Sequence, residues 1–210
     1  EVHSYCIDYF MQPIVCSYME EILSNFTFGA NAVIAISPHY GFNQEDSVII
    51  CKQAIERGFL SITYFNCFKS ELTNSNDQAF EKPDNECRGF VQGYNYDKLD
   101  LDGVVAPNTM VQFGDVLISK IIKSCEIVNA DSSTVTYKKI KRISATVYNK
   151  KDVAVVDKVI ITTNAEGFPS VLVKTRAIRP VRVGDKVCSR HGQKGVCGGI
   201  VGERSTNATR

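Results

Sequence analysis

The residues best suited to chemistry fall in one stretch, Gly184-Asp185-Lys186-Val187-Cys188-Ser189-Arg190-His191-Gly192-Gln193-Lys194-Gly195. Four side chains that carry or can acquire positive charge, Lys186, Arg190, His191 and Lys194, lie within nine residues framed by glycines. Glycine lets one backbone approach another without a side chain between them. Lysine offers phosphate a point charge and arginine a planar fork. A basic turn on a hairpin has the same composition, so both readings stand at this point. The stretch is no P-loop, because GxxxxGK[ST] is missing. A second candidate is Glu45-Asp46, in Tyr40-Gly41-Phe42-Asn43-Gln44-Glu45-Asp46-Ser47. Adjacent carboxylates can contribute to a Mg²⁺–phosphate site, since Mg²⁺ takes oxygen ligands from few protein groups and the substrate's phosphates. A capping or turn acid is the commoner use of such a residue. Ser47 and His191 have no spacing that announces a hydrolytic triad.

Charge concentrates around the first candidate. The 210-residue chain has a formal net charge of +1, yet from Lys174 to Arg210 nine basic side chains face two acidic ones, Asp185 and Glu203. Such a block suits a polyanion, although a solvated basic face has the same charge. A hydrophobic content of 44% and a charged content of 22% are those of an ordinary globular chain with a real core. The 8 cysteines show no CxxC pair and only 3 histidines accompany them, so no zinc site is expected. No secretory leader pattern stands at Glu1, and we expect reduced thiols, mostly in the core of an intracellular protein. No apolar run approaches the roughly 20 residues that span a bilayer, so no membrane association is expected.

The elements that must position these residues read as mostly β with small helices. Short apolar runs at Asn31–Ser37 and Ser47–Ile50 suit buried strands. A short helix is expected over Ser17–Leu23 and another over Lys52–Arg57, where Gly58 interrupts it. Phe59–Phe68 and Val116–Ile122 are strand candidates, while residues 70–100 read as loop, with Leu99–Val105 leading towards a strand. Val153–Thr163 and Ser170–Ile178 form a hairpin about Asn164-Ala165-Glu166-Gly167. Alternation then puts Val171, Val173 and Thr175 on one face and Leu172, Lys174 and Arg176 on the other.

Several blocks, taken in order, resemble one family. They are Asn31-Ala-Val-Ile-Ala-Ile, Tyr40-Gly-Phe-Asn-Gln-Glu-Asp-Ser-Val-Ile-Ile, Glu56-Arg57-Gly58-Phe59, Phe80-Glu-Lys-Pro83, Tyr96-Asp-Lys-Leu-Asp-Leu-Asp-Gly103-Val-Val-Ala-Pro107, Val156-Asp157 with Thr162-Thr-Asn-Ala-Glu-Gly167, and Gly184-Asp-Lys followed by Ser189-Arg-His-Gly-Gln-Lys-Gly195. Together they resemble the second-largest subunit of multisubunit DNA-dependent RNA polymerases, in its eukaryotic, archaeal and large-DNA-virus branch, over about residues 11–196.

That resemblance implies a fold and a role. It implies a double-psi β-barrel core with an inserted wall or flap: residues 11–100 as the first part of a hybrid-binding region, 101–168 as the insertion and 169–196 as the second part. Lys186 and Lys194 would contact phosphates of the RNA 3′ region or of nucleotides, with Arg190, His191 and Gln193 supporting that loop or its nucleic-acid contacts. Asp46, and Glu45 beside it, would lie near a second Mg²⁺ that arrives with the nucleoside triphosphate. The principal Mg²⁺ would be held by an Asn-Ala-Asp-Phe-Asp-Gly-Asp loop of the largest subunit, a motif missing from this sequence, so polymerisation is expected only in complex. Expected partners are the largest and other polymerase subunits, template DNA, nascent RNA and ribonucleoside triphosphates. The expected location is the nucleus for a cellular eukaryotic enzyme, and the cytoplasm or virion for a large DNA virus. Where the family has a basic residue before a Met-Glu pair, this sequence has Cys16-Ser17-Tyr18 before Met19-Glu20. Residues 1–10 and 197–210 match none of the blocks, as expected of a fragment, a split subunit or a divergent viral protein. A non-catalytic β-barrel that only binds nucleic acid or assists assembly is the alternative, and it would need the lysines but not the acids. A metabolic enzyme of unrelated fold ranks third, because no cofactor fingerprint is present.

Overall fold

The computed structural model describes residues 3–22, 28–73, 77–131 and 134–202, with the side chains of 126–138 left aside. Its strands are β1 (His3–Ile7), β2 (Ser47–Cys51), β3 (Ile62–Glu71), β4 (Gln78–Phe80), β5 (Met110–Val111), β6 (Val116–Asp131), β7 (Thr134–Val147), β8 (Ala154–Thr163), β9 (Pro169–Arg179), β10 (Lys186–Cys188) and β11 (Lys194–Val201). Two five-residue helices, α1 (Tyr18–Ile22) and α2 (Lys52–Glu56), complete the regular structure among the described residues. The mostly-β reading with small helices therefore holds.

The barrel does not. Among the described residues the strands form three open sheets, of order β1-β3-β9-β8-β5, β10-β11-β2 and β4-β6-β7. Closing a barrel requires the first and last strands of a sheet to pair, and in none of the three sheets do they. The run Asn31–Ser37 is also not a strand: it joins no sheet, and Val33, Ile34 and Ile36 are exposed. Its β-type residues have neither a neighbouring backbone nor a buried face, and strand preference is largely a preference for both.

The chain divides into two units. The first, Glu1–Ser4 with Tyr64–Ala177, holds most of the five-stranded sheet and the β4-β6-β7 sheet. The expected hairpin is present: β8 and β9 pair antiparallel from Val155↔Arg176 to Thr163↔Pro169. Asn164 builds its turn, its side-chain oxygen accepting the amides of Glu166 and Phe168 at 3.0 and 2.8 Å, while Gly167 takes the left-handed φ of 83° that disfavours a side chain. A bulge between Val156 and Lys158 shifts the alternation, so Val156 stays inside while Lys158 turns outward. Val171, Val173 and Thr175 are buried as alternation requires, and the two valines share one core with Val156, Leu117, Ile118 and Tyr148. Each such apolar side chain contributes about 1.5–3 kcal/mol relative to exposure.

Two blocks that carry the family resemblance clasp each other in this unit. Lys82 of the Phe80–Pro83 block donates to the carbonyl of Leu99 at 2.9 Å. Gly103 turns so closely on Glu81 that a Cβ there would lie 2.6 Å from the Glu81 nitrogen. Within the Tyr96–Pro107 block, Lys98 donates to the buried Asp115 at 2.6 Å. The β4 strand itself lies in the stretch expected to be loop.

A further tie holds the Asp84–Arg88 segment to β7. Lys141 donates to Asp84 at 2.6 Å, the Cys87 thiol to the same carboxylate at 3.1 Å, and the Arg88 amide to the Lys141 carbonyl at 2.8 Å. The hydrogen bond from Lys141, followed by that from Cys87, lowers the Asp84 pKa from 3.8 to about 2. A folded-state pKa below the unfolded value stabilises above the unfolded pKa, and that contribution is lost as pH falls through the folded one. Asp84→Asn is therefore expected to flatten the pH dependence of the unfolding midpoint between about pH 4 and 2. A curve in that window identical to the wild type would refute the assignment.

Cysteine placement departs from expectation. All eight thiols are free, but only Cys87 and Cys197 are buried; Cys6, Cys16, Cys125 and Cys188 are exposed. Burial raises the pKa of the two buried thiols. Alternation explains one exposed case, since Cys188 follows Lys186 by two residues on the open face of β10. No helix among the described residues is long and apolar enough to cross a membrane.

Candidate nucleic-acid interface

The second unit, Tyr5–Thr63 with Ile178–Arg210, contains every candidate site residue. Its small core joins Ile50, Val181 and Cys197 with Ile55, Phe59, Leu60 and Ile200. On that support lies the sheet β10-β11-β2, with β10 and β11 antiparallel and β11 parallel to β2.

Register decides where the lysines point. Lys186 pairs with Val196, and Cys188 pairs with Lys194. Paired residues share a face, as do residues two apart. Lys186, Cys188, Lys194 and Val196 thus occupy one face, and all four are exposed, while Gly195 and Cys197 turn inward and are buried. Val196 also pairs with Ser47, so Lys186, Val196 and Ser47 form one row about 10 Å wide.

The acidic turn is locked onto this row by backbone. The Val196 amide donates to the Asp46 carbonyl at 2.7 Å. Asn43 organises the preceding loop, accepting the His39 amide at 2.8 Å and donating to the Ser37 carbonyl at 2.7 Å. Ser47 Oγ closes it by donating to the Phe42 carbonyl at 2.8 Å. Glu45 adopts φ 53°, a left-handed conformation uncommon for a residue with a side chain. Glu45 and Asp46 are exposed, and among the described residues neither carboxylate has a hydrogen-bond or ion-pair partner. Nor do any three His, Cys, Asp or Glu side chains gather there as a metal-ligand set. Two oxygen-bearing groups suit an ion that brings further ligands with it, such as Mg²⁺ on phosphates, better than a self-sufficient cage.

Glycines make the approach possible. A Cβ on Gly195 would lie 3.0 Å from the Asp46 carbonyl oxygen, and one on Gly198 would overlap Ser47 Oγ and sit 2.8 Å from the Phe42 carbonyl oxygen. Gly198→Ala is expected to break the Ser47–Phe42 hydrogen bond and push the acidic turn off β11, at a cost of about 1–3 kcal/mol. Amide exchange at Val196 reports it directly: unaltered protection would show that the loop accommodates a methyl group.

Most cations of the basic block are already engaged. Lys174 lies 4.1 Å from the centre of the Phe65 ring, Arg176 pairs with Asp157 at 3.6 Å, and Arg179 pairs with Asp185. Arg182 also has a partner. Arg190 pairs with Glu20 and donates to the Phe28 carbonyl at 2.8 Å. Among the described residues of the block, Lys186 and Lys194 are the cations left with no such partner. Gln193 and Ser189 hold the intervening turn, the Gln193 amide donating to Ser189 Oγ at 3.3 Å, and His191 projects from it, exposed. Asp185 sets the approach to Lys186, its carboxylate accepting the Arg182 amide at 2.9 Å and its carbonyl accepting the Cys197 amide at 2.8 Å.

The structure thus brings Lys186, Lys194 and the Asp46 backbone onto one small sheet, and it places Arg190 in an internal contact. Sequence reasoning gave no role to Asn43, Asp185 or Gly198. Asn43 lies inside a quoted block, and the Gly198-Gly199 doublet was the available signal of a close approach.

Exposed lysines on one sheet face, with free carboxylates at its edge, define a surface with the chemistry to meet phosphates and an accompanying cation. Comparison with known proteins places the chain more narrowly. A family described as RNA polymerase Rpb2, domain 6, matches residues 1–205, a range that takes in both ends left outside the motif blocks except residues 206–210. The chain is 36% identical over 204 residues to DNA-directed RNA polymerase II subunit 2 of Arabidopsis thaliana, covering 93% of this chain and 17% of that protein. It is 32% identical over 206 residues to DNA-directed RNA polymerase subunit Rpo2 of Saccharolobus solfataricus, covering 96% and 18%. It is 33% identical over 195 residues to DNA-directed RNA polymerase II subunit RPB2 of Encephalitozoon cuniculi, covering 90% and 17%. The chain belongs to the Rpb2/Rpo2 family of second-largest RNA polymerase subunits, and it spans under a fifth of the length of these relatives.

Proposed function

We propose that this chain forms part of the active centre of a DNA-directed RNA polymerase, where it holds the RNA–DNA hybrid and contacts nucleotide phosphates through Lys186 and Lys194. The observation that carries the reading is that these two lysines share an open sheet face and alone in their described basic block have no internal partner. An unpaired exposed ammonium is free to neutralise a phosphate, whereas a paired one must first give up its carboxylate. Backbone contacts of this kind grip a heteroduplex without reading its sequence.

Phosphoryl transfer depends on positioning and charge neutralisation more than on a side-chain nucleophile. Asp46, with Glu45 beside it, would help to hold a Mg²⁺ that arrives with the nucleoside triphosphate, and the ion would neutralise charge on the phosphates. The freedom of both carboxylates supports this assignment. Membership of the Rpb2/Rpo2 family supports a largest subunit as partner, holding the principal ion, with template DNA, nascent RNA and ribonucleoside triphosphates in the same centre. The test is single-nucleotide addition by polymerase assembled with Lys186→Ala or Lys194→Ala. Slowed addition with normal assembly supports the reading, and unchanged addition by both variants refutes it.

A further inference from the structure

We infer that Arg190 is a positioning residue and not a phosphate contact: with Glu20 and Phe28 it forms a clasp that fixes the turn between the two lysines. The inference rests on the reading of Lys186 and Lys194 as phosphate contacts.

The guanidinium makes three contacts at once. One nitrogen pairs with the Glu20 carboxylate, another donates to the Phe28 carbonyl at 2.8 Å, and the group lies 5.2 Å from the centre of the Phe28 ring. A planar fork can address a carboxylate, a carbonyl and an aromatic face together, and an ammonium cannot do so in the same geometry. The partners are 170 and 162 residues earlier in the sequence, so the clasp ties the turn to a segment that no local force would keep there.

The position of the turn gives the clasp its consequence. Residues 189–193 connect the strand carrying Lys186 to the strand carrying Lys194. Within itself the turn is closed by the Gly192 amide on the Ser189 carbonyl at 3.1 Å and by the Ser189–Gln193 hydrogen bonds. Those bonds set its shape, but they do not attach it to anything else. β10 is only three residues long and lies at the edge of its sheet, so the hairpin depends on the clasp to hold its outer end. The clasp also neutralises the one arginine at the tip, which leaves the lysines as the charges offered to a ligand.

Glu20 separates the two possible roles of Arg190. A direct phosphate contact by Arg190 would be freed when Glu20 is removed, so Glu20→Ala would leave nucleotide addition unchanged or raise it. A positioning role makes Glu20→Ala and Arg190→Ala act in the same direction. In the assembled polymerase Arg190→Ala is expected to slow addition about 5- to 10-fold and Glu20→Ala by less, since it leaves the Phe28 contacts in place, and the double variant to be no slower than Arg190→Ala, which already removes the whole clasp. Glu20→Gln, which keeps an oxygen to accept the guanidinium hydrogen bond, is expected to recover part of the rate lost in Glu20→Ala, a rescue that a lost phosphate contact cannot produce. Normal or faster addition by Glu20→Ala, multiplied effects in the double variant, or no recovery in Glu20→Gln would each overturn the proposal. Lys186→Ala and Lys194→Ala run in parallel distinguish the failures. If they slow addition while the clasp variants do not, the clasp alone is wrong; if they too are silent, the underlying phosphate-contact reading falls.

Discussion

Lys98→Met is expected to destabilise the first unit by about 3–5 kcal/mol, the characteristic cost of stranding one member of a buried ion pair. Asp115 is fully enclosed, with a side chain 2% exposed against 28% for Lys98. Its carboxylate accepts Lys98 Nζ at 2.6 Å, the Gln112 amide at 2.8 Å and Asn95 Nδ2 at 3.2 Å. Lys98 donates further to the Met110 carbonyl at 2.9 Å. The Asp115 carbonyl accepts the Tyr148 amide at 2.9 Å, so the pair sits where β6 and β7 meet the main core. Methionine preserves the apolar stem and removes the charge, which leaves the carboxylate buried with neutral donors only. The measurement is the denaturant midpoint, converted with an unchanged slope. Removing both charges, as in Lys98→Met with Asp115→Leu, is expected to restore part of the loss, since no uncompensated ion then remains. A midpoint unmoved by Lys98→Met would show that the pair contributes nothing net. The expected loss would make the lysine of the Tyr-Asp-Lys-Leu block a structural residue, through its pairing with Asp115.

The second large effect falls on activity and leaves the fold alone. Lys186→Ala and Lys194→Ala are each expected to slow nucleotide addition about 10- to 100-fold, which is about 1.4–2.7 kcal/mol of transition-state stabilisation. A unit charge about 4 Å from a phosphate at an effective dielectric near 20 interacts by about 4 kcal/mol, so losses of that size are within reach even after desolvation. Stability should change by no more than about 0.5 kcal/mol, because both side chains are exposed and make no internal contact to lose. Rapid-quench measurement of single-nucleotide addition, beside thermal unfolding of the same assembled enzyme, separates the two effects. An equal rate with either alanine removes that lysine from the phosphate contacts. A large stability loss would instead assign it a structural role.

How much of this was legible beforehand varied with the range of the interaction. The β8–β9 hairpin was readable because its determinants are local: Asn164 and Gly167 make the turn, and strict alternation from Val171 to Arg176 chooses the buried face. Lys186 and Lys194 were readable as candidates for the same reason, since glycines frame them within a dozen residues. Asn31–Ser37 had an equally strong local signal and still forms no strand, because a strand also needs a second backbone and a surface to cover, and local composition specifies neither. Barrel closure failed as an expectation on the same ground, being a property of which distant edges pair.

What the sequence by itself determined was therefore the family, the mostly-β class and a short list of charged residues able to meet phosphate. Only the tertiary structure decided which of those charges remain available. It engaged Arg179 with Asp185 and Arg190 with Glu20, set Gly195 and Gly198 against the Asp46 turn, and left Lys186 and Lys194 open on one face. The physical reason is that residue type and spacing fix a side chain's charge and reach, whereas its partner is fixed by which backbone folds beside it. In this chain that backbone comes from as far as 170 residues away.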